Sequence, residues 1–380
     1  MWAAQKRVQG SALEGKSSTR FVSIDIMKVG AAVVVFFFHC NVHLGVRFGG
    51  LTAFVSQGAI MMDLFFMLSG FVSQLVLKSR PCDTGIKLGN FYFKQFVKIY
   101  PLYLLICLYF LVVDGGSVTQ KALRFPLELF LLQSSISPGL FPYGHNGGTW
   151  FLSCLMMAYL FAPIFSSLLS VRKNHFFFLS TDYFLCALLP VVTTVYSLPN
   201  VYSNPFLRVL QFIGGMVLAD LTEQFPANTA DTAGGITILS LVGLVCTVNA
   251  PQSSRLWQFA GGGTYVTWGI VTFPLFSALI YGLVGLENLC KFPNFIVTIS
   301  KTERYCYSIY MAQFFVFTLT SKMIAKFPDL FATGSDTKAL LLASVLCVTI
   351  ALVLYHLIIV PCQKLLMGKI QGKRKDHCSC

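Results

Sequence analysis

His39 lies within an apolar run, eleven residues after Lys28 and fourteen after Asp25. A neutral imidazole takes and returns protons near neutral pH, which is the work of a general base. Eleven residues is close to three helical turns, about 16 Å at 1.5 Å per residue, so Lys28 and His39 project from nearly one face. Asp25 and Lys28, three apart, can pair on that face. A charge or imidazole inside a membrane helix is costly and by default marks a pathway or a site. Taken alone, the same residues also read as a snorkelling lysine and a packed histidine. Three further segments carry polar or aromatic groups at apolar boundaries: Asp63 with Ser69-Gly70, Lys94 with Lys98 ahead of Pro101, and Trp150 to Tyr159. Individually these read as a close-packing notch, an interfacial anchor and an interface aromatic.

The elements that must hold these residues follow from composition. The 380 residues are 55% hydrophobic and only 11% charged, with a mean hydropathy of +0.70. A soluble domain carries roughly 25% charged residues to cover its surface, so lipid must cover much of this chain. The same composition excludes disordered, collagen-like and coiled-coil classes, and there is no repeat of 20–50 residues. The net charge of +13 sits in short runs between apolar blocks, a pattern of loops facing an anionic leaflet and not of a nucleic-acid binder. The fold class expected is all-α, a polytopic membrane protein.

A spanning helix needs roughly 20 apolar residues. Such runs number about ten: 21–45, 54–78, 97–113, 149–170, 176–197, 204–221, 233–249, 265–288, 304–325 and 337–362. With both termini cytoplasmic, most of the 28 Lys and Arg residues fall inside. That leaves 114–148 as the largest extracytoplasmic segment. Its apolar stretch Phe125 to Leu132 is too short to span and is expected as a re-entrant or interfacial helix. Residues 1–20 read as a cytoplasmic tail without a signal-peptide h-region. Residues 363–380 read as a basic cytoplasmic tail whose Cys378-Ser379-Cys380 is reduced and solvated, or reversibly lipidated. Cysteines inside the apolar runs behave as small hydrophobes. No CxxC pair or zinc-ligand spacing occurs.

In order along the chain, these segments resemble the acyltransferase-3 family of integral membrane acyltransferases, which includes bacterial O-acetyltransferases of surface polysaccharides. The likeness runs from Ser23 to Pro361, which makes 21–362 one transmembrane domain. The family frame of an acidic residue, Arg, ten residues and His is occupied by Asp25, Lys28 and His39. Phe65 to Phe71, behind Asp63, matches the FF-x-LSGF signature without substitution. Gln95, Lys98, Ile99, Tyr100 and Pro101, with Lys94 adjacent, echo R-x-x-R followed by Ile-Tyr-Pro. Trp150, Phe151, Leu152, Tyr159 and Pro163 match the Trp-Phe-Leu helix. Tyr307 to Gln313 is similar to Ser-x-x-Ile-Tyr-Leu-x-His. Lys28 thus stands for Arg, Gln95 and Lys98 for an Arg pair, Leu155 for a Glu that many members carry, and Gln313 for His.

The resemblance implies acyl transfer to a hydroxyl, with His39 as base or as transiently acylated nucleophile. Asp25 and Lys28 would support it, and Lys28, Lys94 and Lys98 would hold the phosphates of acyl-CoA, acetyl-CoA by default. Asp63, Ser69, Trp150, Tyr159, Tyr310 and Gln313 would shape the cavity or meet the acceptor, and Arg208, on the outer side like Asp63, could also contact a sugar. The acceptor would be a cell-surface carbohydrate or its lipid-linked precursor, at a bacterial inner membrane. No metal and no resident cofactor are expected; the partners are donor, acceptor and membrane lipids. A small-solute transporter and an inert acyltransferase-like scaffold are the competing classes. Internal duplication, typical of transporters, is absent.

Overall fold

The computed structural model describes residues 20–82, 84–113, 117–136, 148–171, 174–195, 202–249, 269–331 and 334–376. Residues 1–19 of the expected tail, Arg172, Lys173 and Cys378 to Cys380 lie outside them. The described residues are helical, without strands. Each of the ten expected spans meets a long helix: α1 (Val22–Leu44), α2 (Met61–Ser79), α3 (Gly85–Val113), then α5 (Trp150–Val171), α6 (His175–Val195), α7 (Pro205–Gln224), α8 (Ala230–Val248), α9 (Gly269–Leu289), α10 (Cys306–Lys326) and α11 (Ser335–Leu354). Between α3 and α5 lies α4 (Val118–Leu129).

Among the described residues, eight helices are long and apolar enough to cross a membrane by length and composition, and His175–Leu189 of α6 is a shorter apolar helix. α10 turns Ser308, Gln313 and Thr320, each at most 1% exposed, into the bundle and carries exposed Lys322 and Lys326 towards its end. The last helix continues through a π-helical turn, Tyr355–Ile359, into α12 (Val360–Asp376). The segment around Phe125 forms α4, an amphipathic helix opened by a Ser117–Gln120 capping box and too short to span.

α2 and α7 form the axis of the bundle, and α7 is buried along almost its whole length. Glycines permit their close approach. A Cβ on Gly70 would lie 1.8 Å from the Phe212 carbonyl oxygen, and one on Gly215 would lie 1.9 Å from that of Met67. Gly70 of the LSGF segment is therefore a backbone-to-backbone notch. Gly70→Ala is expected to force the two helices apart at a cost of about 3 kcal/mol or more. Gly30→Ala, with nothing within 4 Å of the added carbon, stays within about 1 kcal/mol of the parent. Chemical unfolding of both variants in detergent micelles checks the contrast.

Outer helices carry apolar side chains to the surface, such as Leu239 at 71% and Leu341 at 65% exposure, as lipid-facing surfaces do. Cys40, Cys107, Cys154, Cys186 and Cys347 are buried thiols within the packing.

The start of α1, which bears His39, is held from outside itself. Its N-cap, Phe21, supplies no side-chain acceptor. Instead Glu287 of α9 accepts from the Val22 and Ser23 backbone N–H groups, both at 2.8 Å, and from the Ser23 hydroxyl at 2.6 Å. A carboxylate there satisfies orphan donors and complements the helix dipole. The other end closes at Gly45, whose φ of +68° sets the left-handed C-cap.

Candidate functional site

Six helices enclose a cavity of about 470 Å³. α1 presents Lys28, Ala32 and Val35 to it; α2 presents Met62, Phe65, Ser69 and Val72; α3 presents Gln95 and Lys98. Leu155 and Tyr159 of α5, Tyr310 and Gln313 of α10, and Gln363 of α12 complete the wall. The distribution is graded along α1. Lys28, Lys98, Glu303, Arg304 and Gln363 gather at one end, apolar side chains fill the middle, and Tyr310 with Gln313 stands at the other. Such a mostly apolar cleft with a few convergent polar groups is the usual form of a small-molecule site.

Lys28 donates to Glu303 Oε1 at 2.9 Å, whereas Asp25 pairs with Arg20. The Asp25–Lys28 pairing expected from their spacing is not formed. Arg20 spans the gap, donating to Asp25 and, at 3.1 Å, to the Ser300 carbonyl, so the start of α1 is pinned and Lys28 is left to face Glu303. Lys98 lines the cavity and has no carboxylate within 4 Å among the described residues. Lys94, one turn earlier on α3, is outside the lining.

His39 stands one turn beyond Val35 on the stripe of α1 that carries Lys28 and Ala32. The cavity lining ends on this side with Tyr310 and Gln313, whose amide is 1% exposed, and His39 is not part of the lining. Phe317 packs edge-on to the His39 ring at 5.9 Å and stacks on His43 at 5.2 Å; the two imidazoles are 5.5 Å apart. His43 is exposed. Its spacing of four from His39 was the one available signal for His43.

Asp63 and Trp150 do not line the cavity, contrary to expectation, and neither does Arg208. Arg208 is fully buried and makes an ion pair with Asp63. It donates also to Gln211 at 2.7 Å and, through two nitrogens, to the Tyr202 carbonyl at 2.9 and 2.7 Å. Thr272 donates to the other Asp63 oxygen at 3.1 Å, and Trp150 lies over the guanidinium at 5.3 Å. A charge far from water must be paired and hydrogen-bonded, and this pair ties α2 to α7. Ser69, Tyr159, Tyr310 and Gln313 do line the cavity, and Tyr310 is anchored by donating to the Gly148 carbonyl at 2.6 Å. Glu303, Arg304 and Gln363 were missed. Their only mark in the sequence is that they flank apolar runs, as most membrane-edge polar residues do.

A family model described as an acyltransferase domain, of the acyltransferase-3 type, matches residues 21–357. The chain belongs to the acyltransferase-3 family. A relative, acyltransferase MdmB of Streptomyces mycarofaciens, is 34% identical over 125 residues. That match covers 30% of this chain and 30% of the relative. No solved structure matches. The acyltransferase-3 match spans every helix that lines the cavity except α12, which begins after residue 357. The chain is therefore an acyltransferase-family protein with a membrane-type helical bundle.

Proposed function

We propose that this acyltransferase moves an acyl group, acetyl by resemblance, from acyl-CoA to a hydroxyl of a cell-surface carbohydrate or its lipid-linked precursor, in the inner membrane of a bacterium. The observation that carries the reading is the graded cavity, with ammonium and guanidinium groups at one end and Tyr310 with Gln313 at the other, towards which the stripe of α1 that bears Lys28 runs on to His39. Lys28, Lys98 and Arg304 hold the phosphates at the mouth, which is cytosolic in this reading. The apolar middle takes the pantetheine arm, and the roughly 16 Å from Lys28 to His39 matches an extended chain. His39 takes the acceptor hydroxyl's proton as the oxygen attacks the thioester carbon. The C–O bond forms, the C–S bond breaks, and the proton passes to the departing thiolate. Lys28 gives up part of its Glu303 contact to the donor, whereas Lys98 is available without rearrangement.

The test is transfer of labelled acetyl from acetyl-CoA to envelope glycans by protein in proteoliposomes, read by mass spectrometry. Lys98→Met is expected to raise the donor KM about tenfold with a smaller change in kcat, the loss of one charge-assisted contact of about 1.5–3 kcal/mol. An unchanged KM would remove Lys98 from the donor site.

A further inference from the structure

The acyl cavity continues past the Lys28–Glu303 pair, on the side away from Gln313, and the registers of two helix pairs place that continuation. α1 and α2 run antiparallel. At one end the Phe21 and Phe71 rings meet at 6.1 Å; at the other, a Cβ on Gly58, just ahead of α2, would lie 2.6 Å from that of Phe38. Lys28, seven residues along from Phe21, therefore stands level with about Phe65 of α2. The lining nevertheless runs on along α2 through Ser69 and Val72 to Val76, about 16 Å further. α10 and α11 are antiparallel too: Tyr305 packs on Tyr355 at 4.7 Å, and the Cys347 thiol donates to the Ile309 carbonyl at 3.8 Å. Beyond Tyr355 the chain thus leads away from Gln313, yet Ile359, Gln363 and Met367 still line the cavity. Gln363 lies about 12 Å past Tyr355, and so past the 3₁₀ turn Lys301–Tyr305 that carries Glu303. Residues four apart on a straight α-helix drift by about 40° per step. The looser winding of the π-helical turn at Tyr355–Ile359 offsets that drift and keeps these side chains towards the cavity.

Two carboxamides line the cavity with no bond of their own. Among the described residues neither Gln95 of α3 nor Gln363 of α12 has a hydrogen-bond partner, and α12 packs directly on α3. A carboxamide offers a donor and an acceptor side by side, the pattern that pairs bidentately with adenine through N6 and N7. Met367, one turn past Gln363, brings a thioether suited to the face or edge of such a ring, and Val76 and Ile359 add apolar wall. We propose that Gln363 reads the adenine base of a free CoA thioester. The phosphates then lie on Lys28, Lys98 and Arg304, between the base and the pantetheine arm, so the order of groups along the cavity is the order of groups in CoA. This assignment rests on the acyl-CoA reading and narrows it, since an acyl chain on a protein-bound phosphopantetheine has no base to place against α12. It also gives a role to a helix that begins after residue 357, where the match to the family ends.

The experiment titrates CoA and 1,N6-etheno-CoA onto the full chain in phosphatidylcholine nanodiscs, read by calorimetry. The etheno compound keeps every phosphate and the pantetheine arm but has lost the N6 hydrogens. CoA is expected to bind at least about fivefold more tightly than its etheno analogue, the lower end for one bidentate base contact. Gln363→Met, shown folded by its melting profile, is expected to weaken CoA by at least about fivefold and the etheno analogue by less than about twofold. Equal binding of the two ligands by the parent overturns the proposal and leaves the acyl-CoA reading standing. So does a Gln363→Met variant that binds CoA as the parent does, or that weakens both ligands alike. A parent chain that binds no CoA removes the acyl-CoA reading and the base contact together.

Discussion

His39→Ala is expected to lower kcat for acyl transfer by about 10²–10⁴-fold, the usual contribution of a positioned acid–base group. The donor KM stays close to that of the parent, because the cations at the mouth of the cavity remain in place, with Lys28 still facing Glu303 and Lys98 still lining the wall. Loss of kcat without loss of donor binding marks a group acting in the transition state. Single-turnover transfer from labelled acetyl-CoA, with donor binding measured separately, distinguishes this from misfolding. A variant that turned over at the parent rate would take His39 out of the mechanism and leave the cavity as a binding site alone.

Arg208→Met is expected to destabilise the protein by about 3–5 kcal/mol, because it leaves the Asp63 carboxylate buried at the α2–α7 interface without its counter-ion. The double variant Asp63→Leu with Arg208→Met recovers much of that loss, since an apolar pair of similar volume carries no desolvation penalty. Unfolding midpoints in mixed micelles measure both. An acceptor-binding role for Asp63 predicts the opposite pattern, a stable double variant that loses acceptor KM. Equal stability of the single and double variants would show that the pair does not hold the interface.

Much of the architecture was legible because lipid imposes a simple rule. Every backbone polar group must be satisfied within its own segment, so long apolar runs become helices with little dependence on their neighbours. That is why ten runs found ten long helices, and why the short stretch at Phe125 became the amphipathic α4. The rule weakens where a helix hides polar groups inside the bundle, as α10 does with Gln313 and Thr320. The candidate site was legible in part. Lys28 and His39 share a stripe because α-helical periodicity is local. The partners of the charges were not, since the Lys28–Glu303 pair joins residues 275 apart and no periodicity links them.

By itself the sequence determined the helical, membrane-type class, the acyltransferase-3 resemblance and the placing of Lys28 and His39 on one helical face. Those features follow from apolar run length and from the 3.6-residue turn, both properties of a single segment. Only the tertiary structure decided which polar groups are used in holding helices together and which are left facing a cavity. Asp63, Arg208 and Trp150 belong to the first set, while Lys98, Tyr310 and Gln313 belong to the second. The physical reason is that a buried ion looks the same in sequence whether its counter-charge is a neighbouring helix or a ligand, and the choice is made by how the helices cross.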